Sequence, residues 1–296
     1  MANEKKATVR DIAAKAGVSV ATVSYVLNDK KDTKISDVTR KKVLQVANLL
    51  NYSIPEKYKN IDARKGAYTI GVMYTLRPDT PSRNMEIMSL INLLAGRFFR
   101  IGFNCQLIPL ESSSEYQKPV EGLDGIIAID LEESVFKQMS GQYFIPILCL
   151  DMMINDFLFY QIYTDMESIS RAASEILGDG FYLVTDKYSN SKYNDYLISS
   201  LPKGKSLFFS DLEEKGFSVL DGKKVLVYGT QLGMIIKQNA KCKDMLVITS
   251  EDAGNYYSPA IKNIHHDIEK KANLAMNIMM NAIEKKFDVK HEYKVF

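Results

Sequence analysis

Residues 8–52 read TVRDIAAKAGVSVATVSYVLNDKKDTKISDVTRKKVLQVANLLNY. Thr8 stands three residues before Asp11, the spacing of a reciprocal cap at a helix start, and Val9, Ile12, Ala13 and Ala16 then share one helical face. Gly17 ends that helix. After Gly17-Val18-Ser19, Ser19 can cap a second helix whose apolar face is Val23, Val26 and Leu27. That helix stops near Asn28. A polar run from Asp29 to Lys34 follows, and Ser36 caps a third helix with Val43, Val46, Ala47 and Leu50 at i, i+3, i+4 and i+7. Three short helices closing one small core are expected over residues 1–52.

Residues 53–66, SIPEKYKNIDARKG, hold Pro55 and Gly66 among many charges and read as a hinge or linker. From Tyr68 the pattern changes. Short β-rich runs (YTIGVMY, CQLIPL, GIIAID, PILCLD, Ile162 to Thr164, FYLVT, SLFF, VLVYG, MLVIT) alternate with amphipathic segments around 85–100, 167–177, 191–201, 231–239 and 266–285. Strands separated by helices imply parallel sheets with right-handed crossovers. Residues 67–296 are long for one sheet, so the expected fold is a small all-α helix-turn-helix head followed by a two-lobed α/β core. Ligands in such folds bind outside the carboxyl ends of the strands, here in the cleft between lobes.

Charge is divided unevenly along the chain. Residues 1–60 carry 12 Lys and Arg against 6 Asp and Glu, and the remainder 26 against 30, so a basic head (+6) precedes a mildly acidic body (−4). A basic head suits a phosphate-rich partner, because each cation near a phosphate releases a condensed counterion. Cys105, Cys149 and Cys242 are odd in number and far apart, which fits neither a disulfide framework nor a zinc site. The start of the chain lacks the apolar core of a signal peptide, and no run is long and apolar enough to span a bilayer. A cytoplasmic protein without membrane association or cofactor is expected.

A helix, a short turn containing glycine and a second helix opening on small polar residues form the unit that lays its second helix in the DNA major groove. On a helix begun at Ser19, Val20, Ala21 and Tyr25 point away from the buried face and would meet base edges. Thr22, Ser24 and Asn28 flank them with groups suited to phosphate oxygens. The 8–52 stretch resembles the DNA-binding head of the LacI family of bacterial transcription regulators, particularly its galactose-repressor-like branch. That resemblance implies a homodimer on double-stranded operator DNA, a periplasmic-binding-protein-like core that senses a sugar or sugar derivative, and repression of carbohydrate-utilisation genes. It makes Val20, Ala21 and Tyr25 base readers and Thr8, Ser19, Thr22, Ser24, Asn28 and Ser36 phosphate contacts. Tyr25 departs from the family's usual Arg or His. Its ring suits a thymine methyl better than a guanine edge. In the hinge, the resemblance places the family's minor-groove wedge on Ile61 or on Asp62, of which only Ile61 has the apolar side chain a wedge needs.

The family's effector cleft maps onto Asp151, Lys192 and Glu251. Lys192 stands where an arginine is usual, and an ammonium cannot supply the two-pronged grip of a guanidinium on vicinal hydroxyls. A modified, charged sugar or no effector is therefore expected. Enzyme signatures are weak: the Gly204-Lys205-Ser206 tail of a phosphate loop lacks its upstream glycine, since Ser199 stands there, and His265-His266-Asp267 reads as an exposed helix start. The competing expectation is a carbohydrate-binding or carbohydrate-processing α/β protein with an incidental helical head.

Overall fold

A computed structural model of the chain describes residues 8–27, 35–36, 39–40, 42–43, 46–47, 50, 68–110, 119–156, 158–201, 205–250, 261–284 and 291–296. In the head, α1 (Val9–Ala16) begins at the anticipated reciprocal cap. The Thr8 amide and hydroxyl both donate to the Asp11 carboxylate at 2.7 Å, and the Asp11 amide returns to the Thr8 hydroxyl at 3.3 Å. Gly17 closes α1 in the left-handed region, φ 65°, where a β-carbon would be strained. Helix α2 (Val20–Leu27) follows, with Ser19 Oγ accepting from the Thr22 amide at 3.1 Å. Ser36 repeats this cap on Thr39 at 3.2 Å, and residues 39, 40, 42, 43, 46 and 47 are helical. Ile12, Ala13, Ala16, Val23, Val26, Leu27, Val43, Val46 and Ala47 are buried together, as the apolar spacing requires.

The core consists of two parallel sheets. The first holds β1 (Thr69–Tyr74), β2 (Asn104–Pro109), β3 (Gly125–Ile129), β4 (Ile147–Leu150), β5 (Tyr160–Thr164) and β11 (Glu292–Val295), in the order β11-β5-β4-β3-β1-β2. The second holds β6 (Tyr182–Thr185), β7 (Lys205–Phe208), β8 (Lys224–Tyr228), β9 (Asp244–Thr249) and β10 (Lys262–His265), in the order β10-β9-β8-β6-β7. Side chains alternate between the faces of a strand, and each face meets a different layer of helix. In β3, Ile127 and Ile129 pack on α3 (Pro81–Arg100) and α9 (Ile268–Ile283), while Ile126 and Ala128 pack toward α4 (Glu133–Ser140). In the second sheet Leu226 and Leu246 face α5 (Met166–Leu177) and α6 (Ser191–Ser199); Val225 and Val247 face α7 (Phe209–Lys215) and α8 (Thr230–Asn239).

The chain enters the second lobe between β5 and α5 and returns between β10 and α9. Helix α3 starts at Pro81, earlier than the apolar pattern suggested, because proline suits the first helical turn. The short helices α4 and α7 and the strands β10 and β11 carry too few apolar positions to have stood out by periodicity. Residues 53–66, including the Ile61 wedge position, lie outside the described residues.

Candidate functional site

The carboxyl ends of the parallel strands converge between the lobes, and an aspartate follows two neighbouring strands of the first sheet and one strand of the second: Asp130 after β3, Asp151 after β4 and Asp186 after β6. Asp130 (φ 49°) and Asp151 (φ 50°) are the non-glycine residues with positive φ among those described. A left-handed aspartate is sterically costly, so its surroundings must fix it.

Arg83, in the first turn of α3 and 4% exposed, organises the cluster. Its guanidinium reaches Asp151 at 3.1 Å, Asp130 at 3.3 Å and Glu86 at 3.3 Å, and it lies 4.3 Å from the centre of the Tyr188 ring. Lys271 of α9, also buried, donates to Asp151 at 2.5 Å and to Thr164 Oγ1 at 3.2 Å. Thr164 in turn meets the Tyr228 hydroxyl at 2.8 Å and His266 Nε2 at 3.3 Å. Four carboxylates thus surround two cations. Burial pushes Glu86 up to about 7, and Asp130 and Asp186 to about 6, against the pull of Arg83. For Asp151 burial also pushes upward, but Lys271 and Arg83 together outweigh it and hold the group at about 2. His266 is driven well below its ordinary value by burial and by Lys271, so its imidazole is neutral.

The same groups hold the lobes together. Asp186 of the second lobe accepts from the Arg83 amide at 2.7 Å, which gives α3 a cap that its own Thr80 side chain does not provide. Asp130 of the first lobe accepts from the amides of Ser189 at 2.9 Å and Asn190 at 3.3 Å. At Gly229, φ 117°, a β-carbon would be strained by the backbone and would collide with Ser82 Oγ, with Glu86 Oε1 3.2 Å away, so a larger residue would force these first-lobe side chains to move. The space left among Arg83, Glu86, Asp151, Tyr228, His266 and Lys271 is about 10 Å³, enough for roughly one water. Asp186 Oδ1, the Tyr188 hydroxyl and His266 Nδ1 are buried without a hydrogen-bond partner among the described residues.

Of the effector residues expected from the sequence, Asp151 and Lys192 are engaged by different partners. Asp151 is engaged by Arg83 and Lys271; Lys192 sits at the start of α6, partly exposed, and pairs with Glu133 at 2.9 Å. Glu251 lies outside the described residues. His266 is buried in the cluster, which corrects its reading as an exposed helix-start residue; Asp267 caps α9 through the Lys270 amide at 2.7 Å. In the head, Ser19, Val20, Ala21 and Tyr25 of the α2 region are exposed, Thr22 and Ser24 are half-buried, Thr8 is exposed and Ser36 lies beside its helix start. Asn28 lies outside the described residues.

Taken together, the structure places a small helix-turn-helix head before a two-lobed, parallel-sheet core of the periplasmic-binding-protein type. Residues 8–55 match the family described as "Bacterial regulatory proteins, lacI family". It is 29% identical to the HTH-type transcriptional repressor MelR of Bacillus subtilis over 58% of this chain and 50% of that protein. It is 48% identical to the HTH-type transcriptional regulator GanR of the same organism over 16% and 14%. The match to MelR spans about half of that relative's length. The fold is that of the lac repressor dimer bound to operator and the anti-inducer ONPF (TM-score 0.53, 18% identity, 98% of this chain and 96% of that one). It is likewise that of the transcriptional regulator CelR in complex with cellobiose (TM-score 0.54, 14% identity, 98% and 97%). These relatives are transcriptional regulators. Among the described residues no helix is long and apolar enough to cross a membrane.

Proposed function

We propose that the chain is a cytoplasmic, non-enzymatic transcription regulator that binds a two-fold operator as a homodimer and represses carbohydrate-utilisation genes. The observation that carries this reading is the capped α1-turn-α2 unit, whose outer face presents Val20, Ala21 and Tyr25 while its inner face builds the head core. Thr8, Ser19, Thr22, Ser24, Asn28 and Ser36 would hold phosphates, with Ile61 entering the minor groove. Exposed Met85 and Met88 on α3 and Leu107 on the edge strand β2 offer the apolar face a second copy would cover. Selection from random duplex DNA should return an inverted repeat with half-sites about one helical turn apart. Tyr25→Ala should cost about 1–3 kcal/mol on the selected site and flatten preference at one base pair of each half-site. An unchanged selection profile for that variant would show that Tyr25 reads nothing.

Operator affinity is modulated, in this proposal, by a polyhydroxylated ligand at the lobe junction. The buried polar atoms without partners support it, since Asp186 Oδ1, the Tyr188 hydroxyl and His266 Nδ1 supply acceptors and a donor that such a ligand would satisfy. With only about 10 Å³ free, entry requires the lobes to part, and the ligand exchanges with the bonds of Arg83, Asp151 and Lys271. Lys192 and Glu251 stand at the margin of this proposal as outer contacts. Tyr188→Phe removes a hydroxyl that has no hydrogen-bond partner among the described residues, so it should leave stability within about 1 kcal/mol of the parent yet reduce the ligand's thermal shift. Loss of stability without loss of the ligand's shift would assign the hydroxyl a packing role instead.

A further inference from the structure

A second cavity lies at the opposite pole of the second lobe, where β9 and β10 begin and where α5 and α8 end. It measures about 460 Å³, within the usual range for a small-molecule pocket. Met245 and Ile261 contribute an apolar wall, and four lysines, Lys237, Lys241, Lys243 and Lys262, stand around it with Asp244 as the one acid among the described lining residues. All four lysines are exposed, and none of their ammonium groups has an ion-pair partner among the described residues. Lys237 and Lys241 fall at the carboxyl end of α8, where cations complement the helix dipole. That account does not extend to Lys243 and Lys262, which come from the starts of two separate strands.

We infer that this cavity binds a small phosphorylated molecule carrying two or more phosphate-type charges. Four lysines lining one concavity concentrate positive charge there, and a multiply charged anion would be attracted to it. Lysines act as point charges with three rotatable donors, which suits tetrahedral phosphate oxygens better than the planar fork of a carboxylate. The apolar wall gives room for a carbon body beside the phosphates. The site is independent of the interlobe junction, since Asp244 opens β9 at the cavity while Thr249 closes it at the junction.

Cys242 lines the same cavity as a free, half-buried thiol and reports on its occupancy. Burial raises that thiol, so alkylation by iodoacetamide is followed at alkaline pH, with Cys105 of the first lobe as the internal reference in peptide mass spectrometry. Inorganic pyrophosphate should slow modification of Cys242 several-fold and saturably while leaving Cys105 unchanged. Sodium chloride at matched ionic strength should not protect. The Lys237→Gln/Lys243→Gln double variant should lose the protection while keeping the parent's melting temperature and operator affinity. Absence of protection by pyrophosphate, equal protection by chloride, or undiminished protection in the double variant would each overturn the site. Operator binding is read separately, so failure of the cavity and failure of the regulator assignment are distinguishable.

Discussion

Arg83→Met should destabilise the core by about 3–5 kcal/mol at neutral pH, the usual cost of removing one partner from a buried ionic group. The guanidinium contacts Asp130, Asp151 and Glu86, and its side chain is 4% exposed. Methionine fills much of the same volume, so the loss measures unpaired charge more than an empty space. Lys271 would remain as the sole cation facing four carboxylates. Arg83→Lys keeps one charge but cannot reach three acceptors at once, and should fall between the parent and Arg83→Met. Because the chain has no tryptophan, urea unfolding is best followed by circular dichroism. A loss below about 1 kcal/mol for Arg83→Met would mean that the carboxylates find water or protons instead, and that the cluster contributes little to holding the lobes.

The sequence pattern makes the head readable because its determinants are local. Thr8 with Asp11, Ser19 with Thr22 and Ser36 with Thr39 each act within one helical turn, and Gly17 meets a local backbone requirement. The lobes are legible in outline for a similar reason, since apolar runs alternate with amphipathic segments. The ion cluster is not local. Arg83 and Lys271 are separated by most of the core and meet only when α3 and α9 pack on one face of the first sheet. Two signals for it were nonetheless present. Asp130, Asp151 and Asp186 each directly follow a β-rich run, and the carboxyl ends of parallel strands face the cleft. Lys271 also falls on the apolar stripe of its helix, between Ile268 and Ala275, where an unpaired ammonium would be expensive and a buried acid is required. Matching Lys192 to a family arginine found a cation near the cleft by position in the chain, whereas the buried guanidinium is supplied by another helix. Strand β11 escaped because its pairing with β5, Glu292 opposite Gln161 through Val295 opposite Thr164, joins distant parts of the chain.

The same cluster fixes how stability should vary with pH. Glu86 at about 7, and Asp130 and Asp186 at about 6, lie above the value of about 4 for a carboxyl in an unfolded chain. The folded state therefore holds more protons than the unfolded state between roughly pH 4 and 7, and stability falls as pH rises through that window. Each group can contribute up to about 1.4 kcal/mol per pH unit, and since the acids share Arg83 we expect a combined loss of about 2–4 kcal/mol between pH 5 and 8. Asp151 works in the opposite sense: held at about 2, its contribution is present above roughly pH 4 and is lost on further acidification. Maximum stability should accordingly lie near pH 5. Glu86→Gln mimics the protonated acid and should flatten the decline above pH 6, because Glu86 is the group still titrating there. A stability that climbs from pH 5 to 8, or a Glu86→Gln profile parallel to the parent's, would contradict this assignment. Asp130 and Asp186 accept amide hydrogen bonds from the opposite lobe, and these bonds favour the ionised carboxylate, so they partly offset the burial cost that rising pH imposes on the two acids.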